Sequence, residues 1–260
     1  MAAVVKRDFQ ITRSYRLAFL LDLVFGALNL AVFFFISRTF KGVHGVDLHG
    51  APSYFAFAAV GIAITVVIDA ASVGLANRVR EEQLTGTLEV LLTQPVTIAE
   101  LAFGLAGFPF LFALSRAAMY LIAAAALTDV NVHTSSAVGF VAVLLASGAA
   151  FAALGVLLGA LVLLIKRADI LIGMVVFGMG LVSGAFFPVH VLPNWLEPIG
   201  RVVPTRFAFD GLRAAMFRGD GWQTDALVLL AFGVLGVPVA IWAFTQALAI
   251  SKRSGTLTQY

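Results

Sequence analysis

Residues 136–165 read SAVGFVAVLLASGAAFAALGVLLGALVLLI, thirty positions without one charged side chain. Crossing a bilayer core takes about 20 apolar residues in helical form. Every backbone polar group inside hydrocarbon must also be satisfied within its own segment. The stretch therefore predicts a membrane-spanning helix with length to spare for tilt. Working outward, similar apolar runs cover residues 17–36, 54–76, 102–127, 170–187 and 225–248, so the fold expected is an all-α integral membrane protein of six transmembrane helices. Composition agrees: 61% of the 260 residues are apolar and 12% are charged, with a mean hydropathy of +1.00. A soluble domain is roughly half apolar and about a quarter charged. A transmembrane barrel would show short segments of alternating polarity, roughly 10 residues each, and no such alternation runs along this chain.

The basic residues Lys6, Arg7, Arg13 and Arg16 precede the first run, and residues 4–16 are expected to lie at the membrane interface. The run that follows is too long for a secretory signal core and offers no small-residue cleavage site at Phe33–Ile36, so it reads as a retained anchor. With six spans both termini share a side. That side also carries Arg78, Arg80, Lys166, Arg167, Lys252 and Arg253. The opposite side has Arg38 and Lys41 in its first loop, none in its second, and Arg201, Arg206, Arg213 and Arg218 in a long third segment that informs topology less than short loops do. Positive residues favour the cytoplasm, so both termini are expected there, in the plasma membrane. No repeat or flexible linker divides the sequence, and residues 1–260 read as a single domain. Cysteine is absent, which removes thiolate chemistry and disulfides.

Two segments between spans stand out. On the cytoplasmic side, residues 77–101 open with the charged stretch Arg78, Arg80, Glu81 and Glu82, and Leu84, Leu88, Leu91 and Leu92 follow at the spacing of one helical face. Gly86 inside this stretch marks a bend, a close helix approach or a helix end. Pro95 interrupts the pattern, and Thr97 to Glu100 has the spacing of a capping box that starts the next helix. On the outer side, residues 188–224 are cut by Pro188, Pro193, Pro198 and Pro204. Trp195 suits a membrane interface. Thr205 is placed to cap a helix along which Arg206, Asp210 and Arg213 are spaced for ion pairing.

These two segments carry a resemblance. Arg80–Val96, REEQLTGTLEVLLTQPV, is similar to the signature of type-2 ABC exporter permeases. Ser183–Pro188, then Leu192-Pro193 and Trp195-Leu196, Pro204 and Phe209–Arg213 resemble the same family at the expected separation. The resemblance implies that residues 77–101 form a coupling helix seated in a groove of a nucleotide-binding subunit, with Arg78, Arg80, Glu81, Glu82, Gly86, Thr87 and Glu89 as coupling residues. It also implies external re-entrant helices before the last span, forming an outer gate or exit. Because no phosphate-cradling Gly-x-x-x-x-Gly-Lys-Ser/Thr loop occurs in the chain, a separate cytoplasmic ATPase is expected to bind the ATP and magnesium. A second permease subunit, like or unlike this one, is implied beside it. The cargo implied is hydrophobic or amphipathic: a drug, a lipid or a lipid-linked molecule.

A channel or ion-coupled transporter would need ionisable residues deep in the spans, and Asp22, Asp69 and Arg116 are the candidates. They read first as structural ion pairs or snorkelling side chains and second as residues that line or gate a substrate path, to which Phe186, Phe187 and Trp195 would contribute on the outer side. An intramembrane enzyme would need a cluster of catalytic groups. His44, His49, His133 and His190 all fall in predicted outer segments, and no triad or His-Glu-x-x-His arrangement emerges, so neither catalysis nor a resident metal is expected. Membrane lipids are expected partners and nucleic acid is not.

Overall fold

The computed structural model describes residues 16–39, 48–94, 97–127, 136–165 and 168–253. The segment 4–15, the loop holding His44, Pro95, His133 and the pair Lys166 and Arg167 lie outside the described residues, as do the side chains of Asp22 and Glu89.

The described residues form helices joined by turns, with no strand among them. In chain order these are α1 (Arg16–Thr39), α2 (Tyr54–Asp69), a wide π-type turn (Ala70–Gly74), α3 (Leu75–Leu84), α4 (Thr87–Leu92), α5 (Ile98–Leu127), α6 (Ala137–Leu164), α7 (Ala168–Val182), α8 (Glu197–Val202), α9 (Pro204–Arg213) and α10 (Trp222–Arg253). Three stretches are long and apolar enough to cross a membrane by length and composition: Tyr54–Leu84, Ala137–Leu164 and Trp222–Ser251. Val24–Thr39, Pro109–Ala124 and Ile170–Val182 are shorter apolar helical stretches.

In lipid, where apolar side chains gain nothing by hiding from the solvent, close packing by small residues decides which helices meet. The α6 glycines and alanines serve that purpose. A Cβ on Gly155 would sit 2.3 Å from the Ala71 carbonyl oxygen, so the wide turn rests directly on α6. Gly233 and Gly236 of α10 also lie close to α6, where an added Cβ would stand 3.2 Å from Ala149 and Ala153, and the two helices run together over much of their lengths. The result is a bundle with a centre and a rim. The most apolar window of Tyr54–Leu84 is 72% buried, whereas that of α10 is 22% buried and turns Leu227, Val234, Leu235 and Trp242 outward. Phe57, Phe151 and Phe209 are fully enclosed where α2, α6 and α9 meet.

Two element boundaries differ from the sequence reading. The helix of the fifth run stops at Val182 rather than 187, because the Ser183 hydroxyl bonds back to the Met179 carbonyl and Gly184 adopts φ +95°. The leucine face predicted from Leu84 to Leu92 does not lie on one helix. Gly86, at φ +72° with nothing within 4 Å of its Cβ position, ends α3 and starts α4 in a new direction, so of the three readings of this glycine the bend that ends a helix is the one found.

Candidate functional site

A cleft of about 510 Å³ runs beside α2. Thr65 and Asp69 of α2, Asn77 of α3, Arg116 of α5, Phe177 of α7 and Phe186 of the following turn line it. Twelve residues of helix separate Thr65 from Asn77, so the cleft follows the bundle for roughly 18 Å. Its walls are mainly apolar, and Asp69 and Arg116 put one carboxylate and one guanidinium into it. The Arg116 Nη2 also donates to the Tyr120 hydroxyl at 3.3 Å, one helical turn further along. Asp69 and Arg116, read separately as ionisable residues of two spans, thus belong to one cavity. Phe187 and Trp195 do not line it: Phe187 is half-buried, and Trp195 is 72% exposed on the outer segment.

The cleft ends against a turn built from residues 183–188. Phe186 stacks on Phe33 of α1, with ring centres 5.3 Å apart and planes 7° from parallel, and its carbonyl accepts a bond of 3.0 Å from the Tyr54 hydroxyl. The Ser183 hydroxyl, whose own proton goes to the Met179 carbonyl, accepts from the Thr205 hydroxyl, which also lies 3.2 Å from that carbonyl. Thr205 therefore pins α9 to the end of α7 instead of capping α9, whose N-terminal boundary is Val203 with Pro204 in the first turn. Of the pairing expected along α9, Arg206 does hold Asp210 at 3.0 Å, and the His49 ring lies 3.6 Å from the same carboxylate. Arg213 departs from that row. It is fully buried and bonds backbone carbonyls of the 183–188 turn and of α2. Sequence reasoning singled out Phe209–Arg213 as a motif but missed this role, and it missed Tyr54, for which no local pattern gives a signal.

At the opposite end, α3 carries the coupling candidates as a direct extension of α2. Arg78 pairs with Glu81 at 2.9 Å on the exposed side. Glu82 is buried, at 7% exposure, and accepts from the Thr87 hydroxyl across the Gly86 bend. Thr85 and Thr87 share a hydroxyl contact of 2.8 Å, and Thr85 donates to the Glu81 carbonyl at 2.8 Å. These bonds fix the angle between α3 and α4 where the glycine would otherwise leave it loose. Thr97 and Glu100 then form the capping box read from the sequence: the Thr97 N–H donates to the Glu100 carboxylate at 2.8 Å, and the Glu100 N–H donates to the Thr97 hydroxyl at 3.2 Å.

A family model described as the ABC-2 type transporter matches residues 1–217, which take in residues 77–101, the cleft and the 183–188 turn. The chain belongs to the ABC-2 type transporter family. No curated protein matches it. As an ABC-2 permease it is a membrane protein and the permease subunit of an ABC transporter, a role that in this family is generally not catalytic and is typically filled beside an ABC ATPase. The geometry above has three parts: a largely apolar cleft, the 183–188 turn at one end of it, and a hydrogen-bonded helical bend at the far end of the helical run that forms its wall. Helix α10 lies beyond the matched residues.

Proposed function

We propose that this permease is the membrane-spanning half of an ATP-driven exporter that moves a hydrophobic or amphipathic molecule, such as a drug, a lipid or a lipid-linked compound, out of the cytoplasm or the inner leaflet. Six helices cross the plasma membrane on this reading: α1, α2 with α3, α5, α6, α7 and α10, with both termini cytoplasmic. The cytoplasmic ATPase, which binds ATP and magnesium, docks on residues 77–101, and a second permease subunit completes the path.

The observation that carries the reading is the continuity of Tyr54–Leu84. One helical run, α2 continuing through the wide turn at Ala70–Gly74 into α3, holds the cleft wall at Thr65 and Asp69 and ends in the Glu82–Thr87 bend, so a push on the bend passes to the cleft along an unbroken helical stretch. A largely apolar cleft with one carboxylate and one guanidinium suits a cargo that is mostly apolar with a polar end.

Co-purification with the candidate ATPase tests this, comparing wild type with Glu82→Ala and Gly86→Pro for complex formation, ATP hydrolysis and export into vesicles. Folded variants that bind the ATPase poorly or hydrolyse ATP without export support coupling through the bend. A wild-type chain that binds no ATPase and conducts or transports alone would overturn the reading in favour of a channel or an ion-coupled transporter.

A further inference from the structure

The turn closing the cleft is held in an unusual way. Three consecutive backbone carbonyl oxygens, those of residues 184, 185 and 186, each accept a bond from a side chain of another element. Arg213 donates from Nη1 to Gly184 at 2.8 Å and from Nη2 to Ala185 at 3.1 Å, and Tyr54 donates to Phe186 at 3.0 Å. The same Nη2 reaches the Phe57 carbonyl of α2 at 3.1 Å. The guanidinium carbon lies 3.4 Å from the centre of the Phe57 ring and 5.6 Å from that of Phe209, and none of the side chain is exposed.

Burying a guanidinium is costly unless its donors are matched. Here Nη1 and Nη2 are satisfied by the turn and by one α2 carbonyl, while Nε is buried without a partner among the described residues, so the two bonds to the turn carry much of what offsets the burial. Gly184 at φ +95° turns its carbonyl toward Arg213, a backbone geometry that glycine reaches freely. Gly61 of α2 leaves the room: a Cβ there would stand 1.9 Å from the Ala185 oxygen and 3.1 Å from Arg213 Nη2. If the turn swings outward, all the carbonyl bonds to Arg213 from its two residues break together and the cation is left with the α2 carbonyl and two rings. Ala185 and Phe186 are also the residues of this turn that line the cleft. A fixed fork of donors is what a guanidinium offers and an ammonium does not, so lysine is a poor replacement.

We propose that Arg213 is the latch of the outer gate: by holding the Gly184 and Ala185 carbonyls it keeps the 183–188 turn shut across the outer end of the cleft, which opens outward only when those bonds are released. Arg213 is a positioning residue in this scheme, acting through the turn. The inference rests on the exporter reading for the word gate, and on geometry alone for the latch.

The absence of cysteine from the chain makes the test clean. Thr65→Cys places a thiol in the cleft below the turn, and a membrane-impermeant maleimide added from outside to the nucleotide-free complex reads outward opening. The Thr65→Cys background labels slowly. Adding Arg213→Lys raises the labelling rate about tenfold at unchanged yield and elution volume, because bonds made to a charged donor are lost. Should Arg213→Lys not assemble, Arg213→Gln, which buries no charge and has a single amide nitrogen in place of the donor fork, is used and raises the rate by a similar factor. Labelling unchanged from the background in whichever variant assembles overturns the latch and leaves Arg213 a staple of the fold. Vesicle export by the wild-type complex is measured in parallel: its absence counts against the exporter reading, while the labelling rates stand on their own.

Discussion

At the scale of single residues, glycines separate two kinds of constraint. Gly61 is fixed by space, since a methyl group there meets a backbone carbonyl at 1.9 Å that no rotamer change can move. Gly61→Ala should destabilise the folded chain by about 1–3 kcal/mol, as overpacking does, read as a lowered Tm in detergent. Gly86 is fixed by backbone conformation instead: nothing stands within 4 Å, but φ is +72°. Gly86→Ala should cost about 1–2 kcal/mol of left-handed strain, and Gly86→Asn distinctly less, because asparagine tolerates that region. A Gly86→Ala protein as stable as wild type would show that α3 and α4 can join as one helix. Neither constraint is visible in sequence alone. Gly86 was conspicuous as a glycine in a helical pattern, whereas Gly61 sits in an apolar run where a glycine is ordinary and its partner carbonyl lies 124 positions away.

At the scale of elements, the start of α5 offers a titration. The Thr97 N–H and then its hydroxyl bond the Glu100 carboxylate and hold its pKa below the ordinary value of 4.5. A depressed folded pKa contributes stability that is fully present above the ordinary value and is lost as pH falls through the folded one. The Tm values of wild type and Glu100→Gln should therefore differ at neutral pH and converge as the solution is acidified below 4.5. Thr97→Ala should lower stability by about 1 kcal/mol through the same cap. This capping box was legible in the sequence because it is local, four residues with a fixed spacing. The helices of the apolar runs were legible for a comparable reason: lipid leaves the backbone few alternatives. What was not legible is contact between distant elements. Arg213 has the spacing of a surface ion pair along α9, and only the tertiary packing of the 183–188 turn against α2 turns it inward.

At the scale of the whole molecule, the unpaired faces point to where neighbours belong. Ile170, Met174 and Phe177 are exposed along α7 beside the cleft, and Trp242 is exposed on α10 at the rim. If a second copy completes the path on the α7 side, Met174→Cys should form a disulfide-linked dimer in oxidised membranes while Trp242→Cys, facing lipid, should not; the reverse pattern would move the interface to α10. Within the cleft, Asp69→Asn and Arg116→Gln should lower export well below wild type while leaving basal ATP hydrolysis in place, since both side chains stand in the cavity and away from the Glu82–Thr87 bend. The wide turn at Ala70–Gly74 bears on all of this. Residues four apart on a regular helix drift by about 40° per step, so Thr65, Asp69, Val73 and Asn77 would spiral through about 120° and leave the cleft. Opening one turn by a residue takes back about 100° of that drift. The four therefore stand in single file, like the teeth of a rack, along one wall. Deleting one residue from that turn would leave the apolar character of the helix untouched, yet it would rotate the charged end by about a quarter-turn relative to the cleft. The register between the Glu82–Thr87 bend and the cleft is thus stored in a single surplus residue.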